Sequence, residues 1–243
     1  MSVWIRGRGL IRAILGWGVF LLLLALIGYV GFRTWYYVGR IKSGSILDLP
    51  QFSQNVTYAP GTRANISAKV VERSVIENPG SPAFGTANPK LTIVEFADFQ
   101  CPYSRSSALI ARSLMAKYGA DIRFIFRNFP ITEIHPDAFQ AAVAAECAQE
   151  QGKFWQYHDR LFSQAASLSY MSLIDGAEAV GMNRKQFEQC LADNRYKGKV
   201  DEDIAAAKLI GLRGTPTFIF DGQIVEGEIP RDTFEQIILR MDK

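Results

Sequence analysis

Leu91-Thr92-Ile93-Val94-Glu95-Phe96-Ala97-Asp98-Phe99-Gln100-Cys101-Pro102-Tyr103-Ser104 decides how the chain folds. Leu91 to Phe96 is a short apolar run rich in β-branched residues, the pattern of a buried strand. Cys101-Pro102 then opens a segment that places Ala111, Leu114, Met115 and Tyr118 on one helical face. Proline suits the first turn of a helix, because it has no N–H to leave unsatisfied. Ile122 to Phe126 reads as a second strand. Strand, helix, strand at this spacing is a βαβ unit with parallel strands.

Working outward, residues 137–210 read as a run of helices, with no strand candidate. The sheet resumes at Thr217-Phe218-Ile219-Phe220, turns at Asp221-Gly222 and returns through Gln223-Ile224-Val225-Glu226. Asp-Gly is a hairpin turn signal. Phe234, Ile237, Ile238 and Met241 recur at i, i+3, i+4, i+7, the stripe of a terminal amphipathic helix. The expected class is α/β: a βαβ half, a helical insertion and a ββα half. This domain is expected to span 89–243.

Before it, residues 43–88 are punctuated by Pro50, Pro60, Gly61, Pro79, Gly80, Pro82 and Gly85, and read as a linker. Ile66 to Val71 is a candidate short strand inside it. Residues 1–42 read as a membrane anchor. Ala13 to Phe32 is uncharged and long enough to span a bilayer, and Trp35, Tyr36 and Tyr37 follow where an interfacial aromatic belt sits. A cleaved signal peptide is the alternative, but its small-residue cleavage site is poorly matched here. Arg6, Arg8 and Arg12 precede the run while Arg33, Arg40 and Lys42 follow it. Charge therefore leaves the orientation near a tie.

These six cations are the whole charge of residues 1–42. The rest of the chain holds 21 basic against 24 acidic residues, although the chain as a whole carries +3. A nucleic-acid-binding domain would hold its positive charge on the folded part. Hydrophobic content of 48% excludes a disordered chain, and three cysteines in 243 residues exclude a disulfide-dense miniature scaffold.

The cysteines carry the chemistry. Cys101 stands between strand and helix, where the helix dipole and unpaired N–H groups favour a thiolate. Cys147 and Cys190 lie on two helices of the insertion. A pair plus a leftover is the natural arithmetic, with Cys101 as the reactive leftover; two separate buried thiols are the other reading. His135 and His158 have no zinc-type spacing with the cysteines and read as packing or surface residues, so no metal or other cofactor is expected.

Asn88 to Tyr103, Cys147 to Trp155 and Gly211 to Phe218 together resemble the DsbA-like thiol–disulfide oxidoreductases, thioredoxin-fold proteins with an inserted helical domain. The resemblance covers about residues 88–243. It implies that Cys101 is the attacking cysteine and that Thr215-Pro216 is a facing loop with a cis bond. Such a loop offers backbone groups to an extended substrate, with Pro102 and Tyr103 also at the substrate face. It makes Glu95 a buried acid under the site. A carboxyl inside an apolar strand should have a raised pKa and exchange protons; the other reading of Glu95 is an edge residue facing water.

The chain departs from the family pattern at one place: Cys-x-x-Cys is here Cys101-Pro102-Tyr103-Ser104. Ser104 can donate a hydrogen bond to the Cys101 thiolate but cannot form a disulfide. The implied function is a monothiol exchange enzyme, isomerase- or reductase-like, acting on extracytoplasmic cysteine-containing proteins or small thiols. A catalytically degenerate peptide-binding or chaperone-like module is the alternative, and a Ser104 introduced to trap substrates is a third. Disulfide handling belongs on the oxidising side of a membrane, so residues 43–243 are expected outside the cytoplasm, on the periplasmic side.

Overall fold

A computed structural model of the protein describes residues 27–29, 31–32, 65–165 and 167–241. The chain divides into two units, 1–50 and 51–243. In the first, residues 27–29 and 31–32 are helical and exposed. The rest of the expected span at 13–32 lies outside the described residues. Among the described residues no helix is long and apolar enough to cross a membrane.

The second unit runs β1 (Asn65–Val70), α1 (Arg73–Ile76), β2 (Ala83–Gly85), β3 (Leu91–Ala97), α2 (Pro102–Tyr118) and β4 (Ile122–Asn128). Five helices follow: α3 (Ala138–Glu150), α4 (Phe154–Ser163), α5 (Tyr170–Ala179), α6 (Arg184–Ala192) and α7 (Lys197–Leu209). The chain returns through β5 (Thr217–Phe220) and β6 (Gln223–Glu226) to α8 (Arg231–Met241). The sheet order is β1-β6-β5-β3-β4-β2. β3 and β4 are parallel, as a βαβ unit requires, and every other pair is antiparallel.

Within the stretch read as a linker, residues 65–70 and 83–85 supply both edge strands. The Pro/Gly density there marks turns, but pairing partners far away in sequence hold these short segments in the sheet. Gly85 shows the tightness of that fit. Its φ is +101°, and a Cβ would stand 2.1 Å from the Ile122 carbonyl oxygen, so only glycine serves there.

Every residue of β3 is buried, because helices cover both faces of this central strand. One face joins Leu91, Ile93, Phe124, Phe218 and Phe220 to Leu114 and Met115 of α2 and Phe234 and Ile238 of α8. The other joins Val94, Phe96, Ile125 and Ile219 to Ala207 of α7 and Ile76 of α1. The helical insertion has its own core around α3, reaching the sheet through Ala97, Phe99 and Phe126.

Candidate active site

β3 ends at Ala97 and α2 begins at Pro102, so the five-bond reach between them is a single turn carrying Cys101. The Cys101 N–H donates to the Asp98 carbonyl at 3.1 Å, and the Cys101 carbonyl accepts from the Arg105 N–H at 3.0 Å. Cys101 is thereby the N-cap of α2, with Pro102 in the first turn and no side chain capping the helix. The first N–H groups of a helix have no intrahelical acceptor, and they and the dipole give this end of α2 a partial positive charge.

Cys101 is the free cysteine and is buried. Its thiol donates to the Thr215 carbonyl at 3.2 Å. The Thr215-Pro216 bond is cis. The loop is held by the Gly227 N–H donating to the Pro216 carbonyl at 2.8 Å and by Thr217 Oγ1 donating to the Gly214 carbonyl at 2.8 Å. Tertiary structure thus brings Cys101 and Thr215, separated by 114 residues, into direct contact. Pro102 and Tyr103 are exposed beside them.

Ser104 is fully buried. Its hydroxyl oxygen accepts from the Asp98 N–H at 3.5 Å.

Glu95 is 1% exposed, and neither carboxylate oxygen has a partner. It shares the β3 face of Ile93, which packs against α2, and stands between Phe126 of β4 and Phe218 of β5. Loss of hydration with no compensating cation pushes its pKa up to about 8. The edge reading of Glu95 is excluded by this burial.

Cys147 of α3 and Cys190 of α6 form a disulfide, with Cα atoms 6.0 Å apart. Of the two readings of these cysteines, the pair is the one formed. His158 is buried within a cage of five aromatic rings that includes Phe99, Phe126 and Trp155, and burial lowers its pKa. Its Nδ1 lies 2.9 Å from Asp159 Oδ1.

Sequence reasoning missed Asp98, Gln100 and Asp137, and gave His135 no role. Asp98 is buried and accepts from Gln100 N–H, Ile131 N–H and His135 Nδ1, each at 2.8 Å. The available signal was its place three residues before Cys101, where an acid can close a turn.

A family profile described as thioredoxin matches residues 77–240. The chain belongs to the thioredoxin family. Solved structures share its fold. A thioredoxin-like oxidoreductase from Silicibacter pomeroyi has a TM-score of 0.63 at 24% identity, covering 70% of this chain and 97% of that one. The thiol-disulfide exchange protein alpha-DsbA2 from Wolbachia pipientis has a TM-score of 0.63 at 20% identity, covering 69% and 90%. BdbD from Bacillus subtilis has a TM-score of 0.56 at 20% identity, covering 67% and 93%. At these identities the likeness is one of fold.

By sequence, the chain is 39% identical over 139 residues to the Na(+)/H(+) antiporter NhaA 3 of Salinispora tropica, a match covering 57% of this chain and 21% of that protein. It is 33% identical over 141 residues to the antiporter NhaA 1 of Mycolicibacterium gilvum, covering 57% and 23%. The chain thus spans about a fifth of the length of these curated relatives.

Proposed function

We propose that the protein is a membrane-anchored thiol–disulfide exchange enzyme that works through one sulfur, Cys101. The carrying observation is the free Cys101 at the start of α2, against the Thr215 carbonyl, while Cys147 and Cys190 are tied to each other.

The Cys101 thiolate attacks one sulfur of a substrate disulfide. The Sγ–S bond forms as the substrate S–S bond breaks, and the departing sulfur leaves as a thiolate that takes up a proton. A second thiol, from the substrate or a small thiol, then attacks the mixed disulfide and restores Cys101. If that thiol belongs to the substrate, its disulfides are rearranged with no net redox change. If two small thiols act in turn, they leave as their own disulfide and the substrate is reduced. Net dithiol oxidation would need a second sulfur where Ser104 stands.

In this reading Glu95, protonated at neutral pH, exchanges protons with the site. Ionisation of Cys101 ends its donation to the Thr215 carbonyl, which frees that oxygen for the backbone of an extended substrate. It also leaves Ser104 as a donor for the thiolate. Pro102, Tyr103 and Pro216 complete the substrate face. The uncharged run at 13–32 supports the anchor. Occurrence of a matching stretch in chains named as antiporters supports a membrane setting. The Cys147–Cys190 disulfide supports an oxidising, extracytoplasmic location.

The test uses the full chain in detergent. It should unscramble a mispaired disulfide protein, and Cys101→Ala should reduce that to background. Ser104→Cys should gain oxidation of a reduced dithiol peptide. A wild-type chain that forms no mixed disulfide with any disulfide probe sinks the reading. On intact cells, Cys101 should accept a membrane-impermeant thiol reagent; protection until lysis would overturn the orientation.

A further inference from the structure

We infer that His135 is a positioning residue for Cys101, acting through the buried carboxylate of Asp98. The inference rests on the reading of Cys101 as the exchange nucleophile and adds to it a residue outside that reading.

Asp98 touches the active-site turn at every level. Its carbonyl accepts the Cys101 N–H, its N–H donates to Ser104 Oγ, and its Oδ1 accepts the Gln100 N–H. Its other oxygen leaves the turn altogether. Oδ2 accepts the Ile131 N–H and His135 Nδ1, both on the loop between β4 and α3. A carboxylate with a fully buried side chain is costly unless its lone pairs are filled, and His135 supplies one of the three donors. With Asp98 accepting at Nδ1, the imidazole tautomer is the one protonated there.

A second clasp lies beside the first. The Asp137 N–H donates to Gln100 Oε1 at 2.7 Å, and Gln100 Nε2 donates to Asp137 Oδ2 at 3.3 Å. The two clasps bind the turn before Cys101 to the same loop, so the loop fixes where the N-cap sulfur stands. Only one of them includes an ionisable donor. The His135 ring is 16% exposed, and the backbone bonds of its loop, His135 N–H to the Ile131 carbonyl and Ala138 N–H to the His135 carbonyl, do not involve the ring. Removing the ring therefore leaves those backbone bonds, and the Gln100–Asp137 pair, to hold the loop. What changes is the hold on Asp98, and through it the aim of Cys101.

The experiment measures the second-order rate of Cys101 in the full chain with two reagents, Ellman's disulfide and iodoacetamide. His135→Ala should slow both by about tenfold, the factor carried by one hydrogen bond to a charged group, and His135→Asn should return to within about twofold of the parent. Asparagine carries an N–H on Cγ, where histidine carries Nδ1, and so restores the bond without the ring. Thermal midpoints are recorded alongside; His135→Gln, whose amide reaches past Asp98, replaces the alanine variant if that one is unstable. Parental rates in His135→Ala overturn the inference. So does an asparagine variant that is folded and as slow as the alanine one. If the wild type is alkylated but never reacts with the disulfide, the exchange reading fails, and the order of alkylation rates still decides the role of His135.

Discussion

Of the buried carboxyl groups in this protein, two are treated in opposite ways. Asp203 of α7 is 0% exposed and is surrounded by donors. Arg127 Nε reaches its Oδ1 at 2.5 Å and Lys199 Nζ at 2.8 Å, while Asn128 donates to its Oδ2 from both backbone and side chain. Arg127 spends another N–H on the Ile76 carbonyl at 2.8 Å. Glu95 of β3, one strand away from Arg127 and on the α2 face, has no donor at all. A buried charge survives only when paired. Asp203 is therefore part of the seam between sheet and insertion, whereas Glu95 keeps its proton until about pH 8. Under the proposed function the bare carboxyl serves proton exchange, while the filled one serves stability.

That contrast is breakable by mutation. The largest effect is expected from Asp203→Ala, which strands Arg127 without its counter-charge and should destabilise the chain by ~3–5 kcal/mol in chemical denaturation. A loss below about 1 kcal/mol, the range of surface pairs, would show that Asp203 holds nothing. Reduction of the disulfide, or the double change Cys147→Ala with Cys190→Ala, comes next, at about 2–4 kcal/mol for a loop of this size. It should leave the alkylation rate of Cys101 unchanged, which separates the insertion's stability from the site's chemistry.

Glu95→Gln should act with the opposite sign. The folded pKa of about 8 lies above the ordinary 4.5, so the unfolded chain releases this proton first. Stability from this group is complete below pH 4.5, falls as pH rises, and is lowest above about 8. Replacement by glutamine removes that slope and should stabilise the protein at pH 7 by at most about 3 kcal/mol. Unfolding curves across pH 4–9 check it, and parallel curves for parent and variant would remove Glu95 from the comparison. The smallest effect is expected at the surface. Arg213 pairs with Glu226 through Nη2 at 2.6 Å, but its side chain is 71% exposed, and Arg213→Ala should cost no more than about 1 kcal/mol.

Much of this architecture could be read locally. β3, α2 and β4 announce themselves by apolar runs and helical spacing within windows of a few residues. The Asp221-Gly222 turn marked the β5–β6 hairpin, with Asp221 at φ 45° and Gly222 at 96°. β1 was legible only as the candidate strand at Ile66–Val71, one residue out of register with the observed Asn65–Val70, and β2 was not read at all. They are short edge strands, and what makes them strands is backbone pairing with β6 and β4, which no local pattern encodes. The same holds at the site. Cys101, Pro102 and Ser104 stood out because strand, turn and helix meet there in consecutive residues. Asp98 and His135 did not, because their bond joins the turn to a loop on the far side of α2 and β4.

The sequence by itself determined the chemistry on offer: one sulfur at a helix start, a serine where a second sulfur would resolve it, and two further cysteines. These depend on residue type and on neighbours along the chain. The tertiary structure decided which cysteines pair, which carbonyl faces the thiol, and which buried acid is filled and which is bare. Each of those is a contact between residues tens of positions apart, and hydrogen bonding and desolvation act on neighbours in space.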